Sequence, residues 1–206
     1  MALLFQRVSK IIRRNLENLR KYARIASIGG ISRRYFIMNA FDGAMTMLGV
    51  ICGAYISGVE SPKIIIGTGL GASLAMGISG FSGAYLTERA ERIRTLKKLE
   101  EAMLTDLDGS IVGRASRFAM LWTASIDAVS PVLAAMISIT PFFLTLLGVF
   151  SVLHAIVISI ALTMATLFSL GAYLGRISRE NMVVYGLHMT IAGVITALIC
   201  IIVGSF

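Results

Sequence analysis

Apolar and polar positions follow two different rhythms along this chain. From residue 36 onward, apolar runs occupy about 36–57, 64–86, 118–139, 145–174 and 182–204. Each is long enough to supply the ~20 helical residues that cross a hydrocarbon core of ~30 Å, so the pattern predicts five transmembrane helices. The connection 58–63 is short and makes spans one and two an antiparallel hairpin. Thr140-Pro141 is expected to turn span three into span four in the same way. Residues 3–26 read differently. Leu4, Val8, Ile11, Ile12, Leu16, Leu19 and Ala23 recur on one side, while Arg7, Lys10, Arg14, Lys21 and Arg24 take the other. This is the pattern of an amphipathic helix lying on an anionic leaflet or packed on the protein's own cytoplasmic segment, with Gly29-Gly30 as its break. The fold expected is therefore an all-α integral membrane protein with five transmembrane helices plus an N-terminal amphipathic interfacial helix. Its parts are residues 1–30 at the cytoplasmic face, a transmembrane domain over 31–206, and a short cytoplasmic helical insert at 87–117.

Composition agrees, with 56% hydrophobic residues and a mean hydropathy of +0.82, well beyond an ordinary soluble domain. A net charge of +8 would suit nucleic acid if it were spread over one surface. Instead nine Lys and Arg fall in residues 1–34, seven in 87–117, two in 173–181, and only Lys63 elsewhere. Such bias is what the positive-inside rule produces. It places those blocks and the N-terminus in the cytoplasm and the C-terminus outside, with lipid rather than nucleic acid as neighbour. No cleavable signal peptide is expected, because the first 27 residues lack a compact apolar core and a small-residue cleavage site. Cys52 and Cys200 sit inside apolar runs and form no disulfide framework.

The candidate chemistry begins with Asp42, in the stretch Met38-Asn39-Ala40-Phe41-Asp42-Gly43-Ala44-Met45-Thr46-Met47. A carboxylate inside a span costs roughly 2.5–3.5 kcal/mol on insertion scales, so its default reading is functional. Met38, Asp42, Met45, Gly49 and Cys52 follow steps of four, three, four and three along one helix face. Oxygen beside sulfur on that face favours a borderline first-row metal over Mg²⁺ or Ca²⁺; the alternative for Met38 and Met45 is packing in an irregular apolar contact. Span two is rich in small residues from Gly67 to Ala84, with Met76 the one long polarizable side chain among them, which predicts close helix approach.

Span three carries a second acid, Asp127, four residues before Pro131. Proline there cannot donate to the carbonyl of residue 127, leaving an oxygen beside the carboxylate for a cation or proton. The alternative is a hydrogen bond from Asp127 to a neighbouring helix. In the insert, Glu88 and Glu91 share a face, read either as a salt-bridged solvated helix or as a cation-collecting ladder. His154 and His188 stand singly on different spans, and no nucleophile motif is present, so enzyme chemistry is not expected.

Four motifs in order carry a family likeness: Asn39-x-x-Asp42-Gly43, Ala75-Met76-Gly77-Ile78, Pro131-x-x-Ala134-Ala135, and Leu170-Gly171-Ala172 through Arg176. With five spans and an N-terminal amphipathic helix, the chain from about residue 33 resembles the vacuolar iron transporter family. The resemblance implies a homodimer that exports Fe²⁺, and often Mn²⁺, from the cytoplasm in exchange for protons. It implies no prosthetic group; the metal is cargo. Asp42 matches the family's span-one acid and Met76 its span-two methionine, which makes them expected ligands at a dimer axis, with Asp127 as a further ligand or proton carrier. The family's span-two glutamates would fall near Thr68 and Gly80, and its long cytoplasmic metal-binding insert is cut here to about 30 residues. The expected activity is thus divalent transition-metal export by proton antiport. The competing readings are a non-transporting membrane scaffold that binds lipid or partners, and a transporter of another cation.

Overall fold

The computed structural model describes Met1, Glu17, residues 19–149 and residues 151–204. Its helices are α1 (Ile28–Ile56), α2 (Pro62–Met103), α3 (Ile111–Leu146), α4 (Val152–Ser178) and α5 (Met182–Gly204). All five are long and apolar enough to cross a membrane, and no strand occurs among the described residues. The protein is an all-α integral membrane protein. Most of the amphipathic stretch 3–26 lies outside the described residues; positions 19–25 are helical.

Two expected boundaries move. The break before α1 falls at Ser27, which adopts a left-handed φ of 49°, and not at Gly29-Gly30, which belong to the first turn of α1. Span three does not turn at Thr140-Pro141 but continues to Leu146. Proline removes only one helical donor, and hydroxyls stitch the backbone around it: Thr140 Oγ1 donates to the Met136 carbonyl at 2.7 Å, and Thr145 Oγ1 to that of Pro141 at 3.2 Å. Fully buried Phe142 holds the next turn in the core. The reversal comes at Gly148, with φ 76°, and Ser151 caps α4 by accepting the His154 amide.

The chain divides into two compact units. The first comprises Met1–Arg34 and Phe81–Ile126. Within it α2 runs on past the expected end of span two, for 42 residues in all, or about 63 Å at about 1.5 Å per residue. Glu100 closes its end by accepting the Leu107 amide at 3.0 Å, and Ser110 receives the Gly113 amide at 3.2 Å at the start of α3. Tyr22, Phe118 and Trp122 form an aromatic ladder with centroid spacings of 6.3 and 5.9 Å. Aromatic side chains of this kind are enriched where a span meets the headgroups.

The second unit comprises Tyr35–Gly80 and Asp127–Phe206. In lipid there is little hydrophobic drive between helices, so contact is won by fit. One cluster joins α1, α2, α3 and α4 through Met47, Ile65, Ile139, Phe142 and Ile156; another gathers Ala40, Ala44, Ala134, Leu167 and Leu170. Glycines let the backbones close. A Cβ on Gly43 would strike the Pro131 carbonyl, and one on Gly77 would stand 2.8 Å from the Ala128 carbonyl. Gly171 does the same in the α4–α5 hairpin, against the Tyr185 carbonyl, and Gly186 makes room for the Phe168 ring.

Candidate functional site

The second unit brings three polar residues of the spans together. Asp127 on α3 is only 5% exposed. Its Oδ1 accepts a hydrogen bond from Asn39 Nδ2 on α1, and its Oδ2 lies 2.5 Å from where a Cβ on Gly80 of α2 would stand. Asn39 also donates to the Tyr35 carbonyl at 2.9 Å. Asp42 follows three residues later on α1 and is exposed on the surface of the single chain. The two carboxylates are close enough to act on one another electrostatically. Neither takes part in the ion pairs found among the described residues, Glu88–Arg92 and Asp108–Arg117.

The predicted residues divide. Of the face read from the α1 sequence, Met38 and Asp42 are exposed, while Cys52 is buried and Met45 packs on the apolar cluster around Ala40 and Leu167. Met45 is partly buried there, in the kind of irregular apolar contact that Met fills. Met76 is half-buried on α2, at helical spacing between buried Ser73 and Gly80. Glu88 is engaged by Arg92 at 2.9 Å, one turn on, with both side chains mostly covered. Glu91 is exposed. No group of three metal-ligating His, Cys, Asp or Glu side chains occurs among the described residues; the Glu88–Arg92 pair is an i,i+4 ion pair of the kind that laces a solvated helix. His154 Nδ1 bonds Ser151 Oγ at 2.6 Å at the start of α4, a capping arrangement.

Two partners escaped the sequence reading. Asn39 was legible in principle, since an amide inside a span seeks an interhelical partner. Gly80 is marked in the sequence only as a place where the family likeness implies an acid; that it receives the Asp127 carboxylate is shown by the fold.

These features define a polytopic α-helical membrane protein with paired acids inside its spans. The chain is 32% identical over 183 residues to the uncharacterized protein MJ0645 of Methanocaldococcus jannaschii, a match that takes in 87% of this chain and 92% of the archaeal protein. It belongs to the same family as that protein. No family model matches the chain, and no solved structure matches it.

Proposed function

We propose that the protein is a secondary transporter that exports a divalent transition metal, Fe²⁺ or Mn²⁺, from the cytoplasm in exchange for protons. The observation that carries this reading is the pair of carboxylates, Asp42 and Asp127, on neighbouring spans without a salt-bridge partner among the described residues. Two anionic groups in a low-dielectric region need a compensating positive charge. A bound cation or protons supply it, and exchanging one for the other is antiport.

The exposure of Asp42 supports a homodimer. A carboxylate facing lipid is costly, and a second copy related by a two-fold axis covers it and doubles each ligand. One Asp42 and one Met76 per chain then make a four-ligand set of oxygen and sulfur, suited to a borderline metal. Asp127 also stands where an acid is otherwise missing. The family likeness implies a span-two glutamate near Gly80, and the space a side chain would enter there holds the Asp127 carboxylate. The distribution of Lys and Arg supports a cytoplasmic N-terminus and an outer C-terminus.

The Asn39–Asp127 bond favours a second reading, a membrane scaffold in which the acids only join helices. Proteoliposome transport separates the two. Fe²⁺- or Mn²⁺-dependent proton counterflow that is present in the wild type and lost in well-folded Asp42→Asn supports transport. Counterflow retained in that variant refutes the role of Asp42, and none in the wild type leaves the scaffold.

A further inference from the structure

The side-chain nitrogen of Asn39 serves two acceptors at once, the Tyr35 carbonyl on its own helix and the Asp127 carboxylate on α3. Only the NH₂ end of an amide can do this, so the side-chain orientation follows from the bonding. Asp127 is therefore bonded from α1 at Oδ1, while its Oδ2 occupies the space that a Cβ on Gly80 of α2 would fill. Asn39 stands three residues before Asp42, just under one helical turn. Its amide orients a carboxylate without neutralising it, whereas a Lys or Arg there would cancel the charge a cation needs.

We propose that Asn39 is the positioning residue of the cation site, fixing the Asp127 carboxylate against Gly80 so that a divalent cation is held between Asp127 and Asp42 of the same chain. The inference rests on the transport reading above and deepens it by placing two ligands of each half-site within one protomer. A ligand already oriented by its neighbours loses little freedom when the cation arrives, which is why groups that orient a metal ligand tune affinity without touching the metal.

The test is Mn²⁺ binding to the purified full-length protein, followed by the electron paramagnetic resonance signal of free Mn²⁺, beside a thermal melt without metal. Asn39→Ala frees Oδ1, and Gly80→Ala displaces Oδ2 from another helix. Each is expected to weaken Mn²⁺ binding by ~10- to 100-fold while the protein still unfolds cooperatively. The exchange Asn39→Asp with Asp127→Asn retains one amide and one carboxylate across the contact and is expected to bind Mn²⁺ more tightly than Asn39→Ala. Folded Asn39→Ala and Gly80→Ala proteins that bind as tightly as the wild type overturn the proposal, as does a folded exchange variant no better than Asn39→Ala. Should Asn39→Ala fail to fold, binding by Gly80→Ala relative to the wild type decides. Binding lost in Asp42→Asn but kept in Asn39→Ala and Gly80→Ala refutes only the positioning role. A wild type that binds neither Mn²⁺ nor Fe²⁺ refutes the transport reading and this inference with it.

Discussion

Asp127 and Asp42 have the same chemistry and opposite surroundings, and their expected behaviour differs accordingly. Asp127 is enclosed and hydrogen-bonded, so it serves as an acceptor whether or not a cation is present. On the transport reading, protons compete with metal for the ionised carboxylates. Lowering the pH on the metal-loading side should therefore raise the half-saturating metal concentration. Asp127→Asn keeps an acceptor for Asn39 but removes one titrating group, so this rise should be shallower while some metal binding remains; uptake measured across a pH series checks it. Met76 is testable by metal preference. Met76→Leu preserves bulk and removes sulfur, so Fe²⁺ uptake should fall more than Mn²⁺ uptake, since the softer, higher-affinity ion loses more. Equal losses for the two metals would assign Met76 to packing.

At the scale of elements, the glycines of the second unit are not interchangeable. Gly43 abuts the backbone at Pro131, where nothing flexible can yield. Gly43→Ala is expected to destabilise by about 1–3 kcal/mol, the usual cost of forcing an extra carbon into a tight contact. Gly71, in the same apolar context on α2, has nothing within 4 Å of an added Cβ. Gly71→Ala is expected to be neutral or stabilising, by up to about 1 kcal/mol from helix propensity. Melting temperatures of the two variants in the same detergent, compared with the wild type, check the contrast. Pro141 makes a related point, because a proline inside a span ends the helix only if the freed groups find no other partner. Here the carbonyl freed is that of Ile137, the threonine hydroxyls bond the carbonyls of Met136 and Pro141 to either side of it, and the helix continues to Leu146.

At the scale of the whole molecule, charge is sorted by unit. The first unit holds sixteen of the Lys and Arg against seven acids, and the second holds three against four. Two of those four acids are Asp42 and Asp127, so the few charges left within the spans are the ones the proposed function uses. The proposed homodimer places Asp42 near the two-fold axis. Met38, one turn before Asp42 and 52% exposed, marks the same side of α1. Met38→Cys in a Cys52→Ala, Cys200→Ala background should form a disulfide-linked dimer on mild oxidation in membranes. A population that stays wholly monomeric on a denaturing gel would exclude that axis.

The five spans, the run of α2 beyond its apolar stretch and the two acids within the spans were legible from residue order alone. Their signals are local: apolar length for a helix in lipid, and the cost of a charge within it. Helix ends were less legible, since the turns at Ser27 and Gly148 depend on which backbone groups find partners rather than on the nearest Gly or Pro. The division of the α1 face was not legible either, because a periodicity of 3.6 tells which residues share a side, not what that side meets. Met45 and Asp42 are near neighbours on the helix, yet one packs on alanines and leucines and the other is exposed. The sequence by itself determined a five-span helical membrane protein with carboxylates in its spans. Only the tertiary structure decided that Asn39 bonds Asp127 and Gly80 makes room for it, because that contact joins three helices whose register is set by glycine-to-backbone fit far apart in the chain.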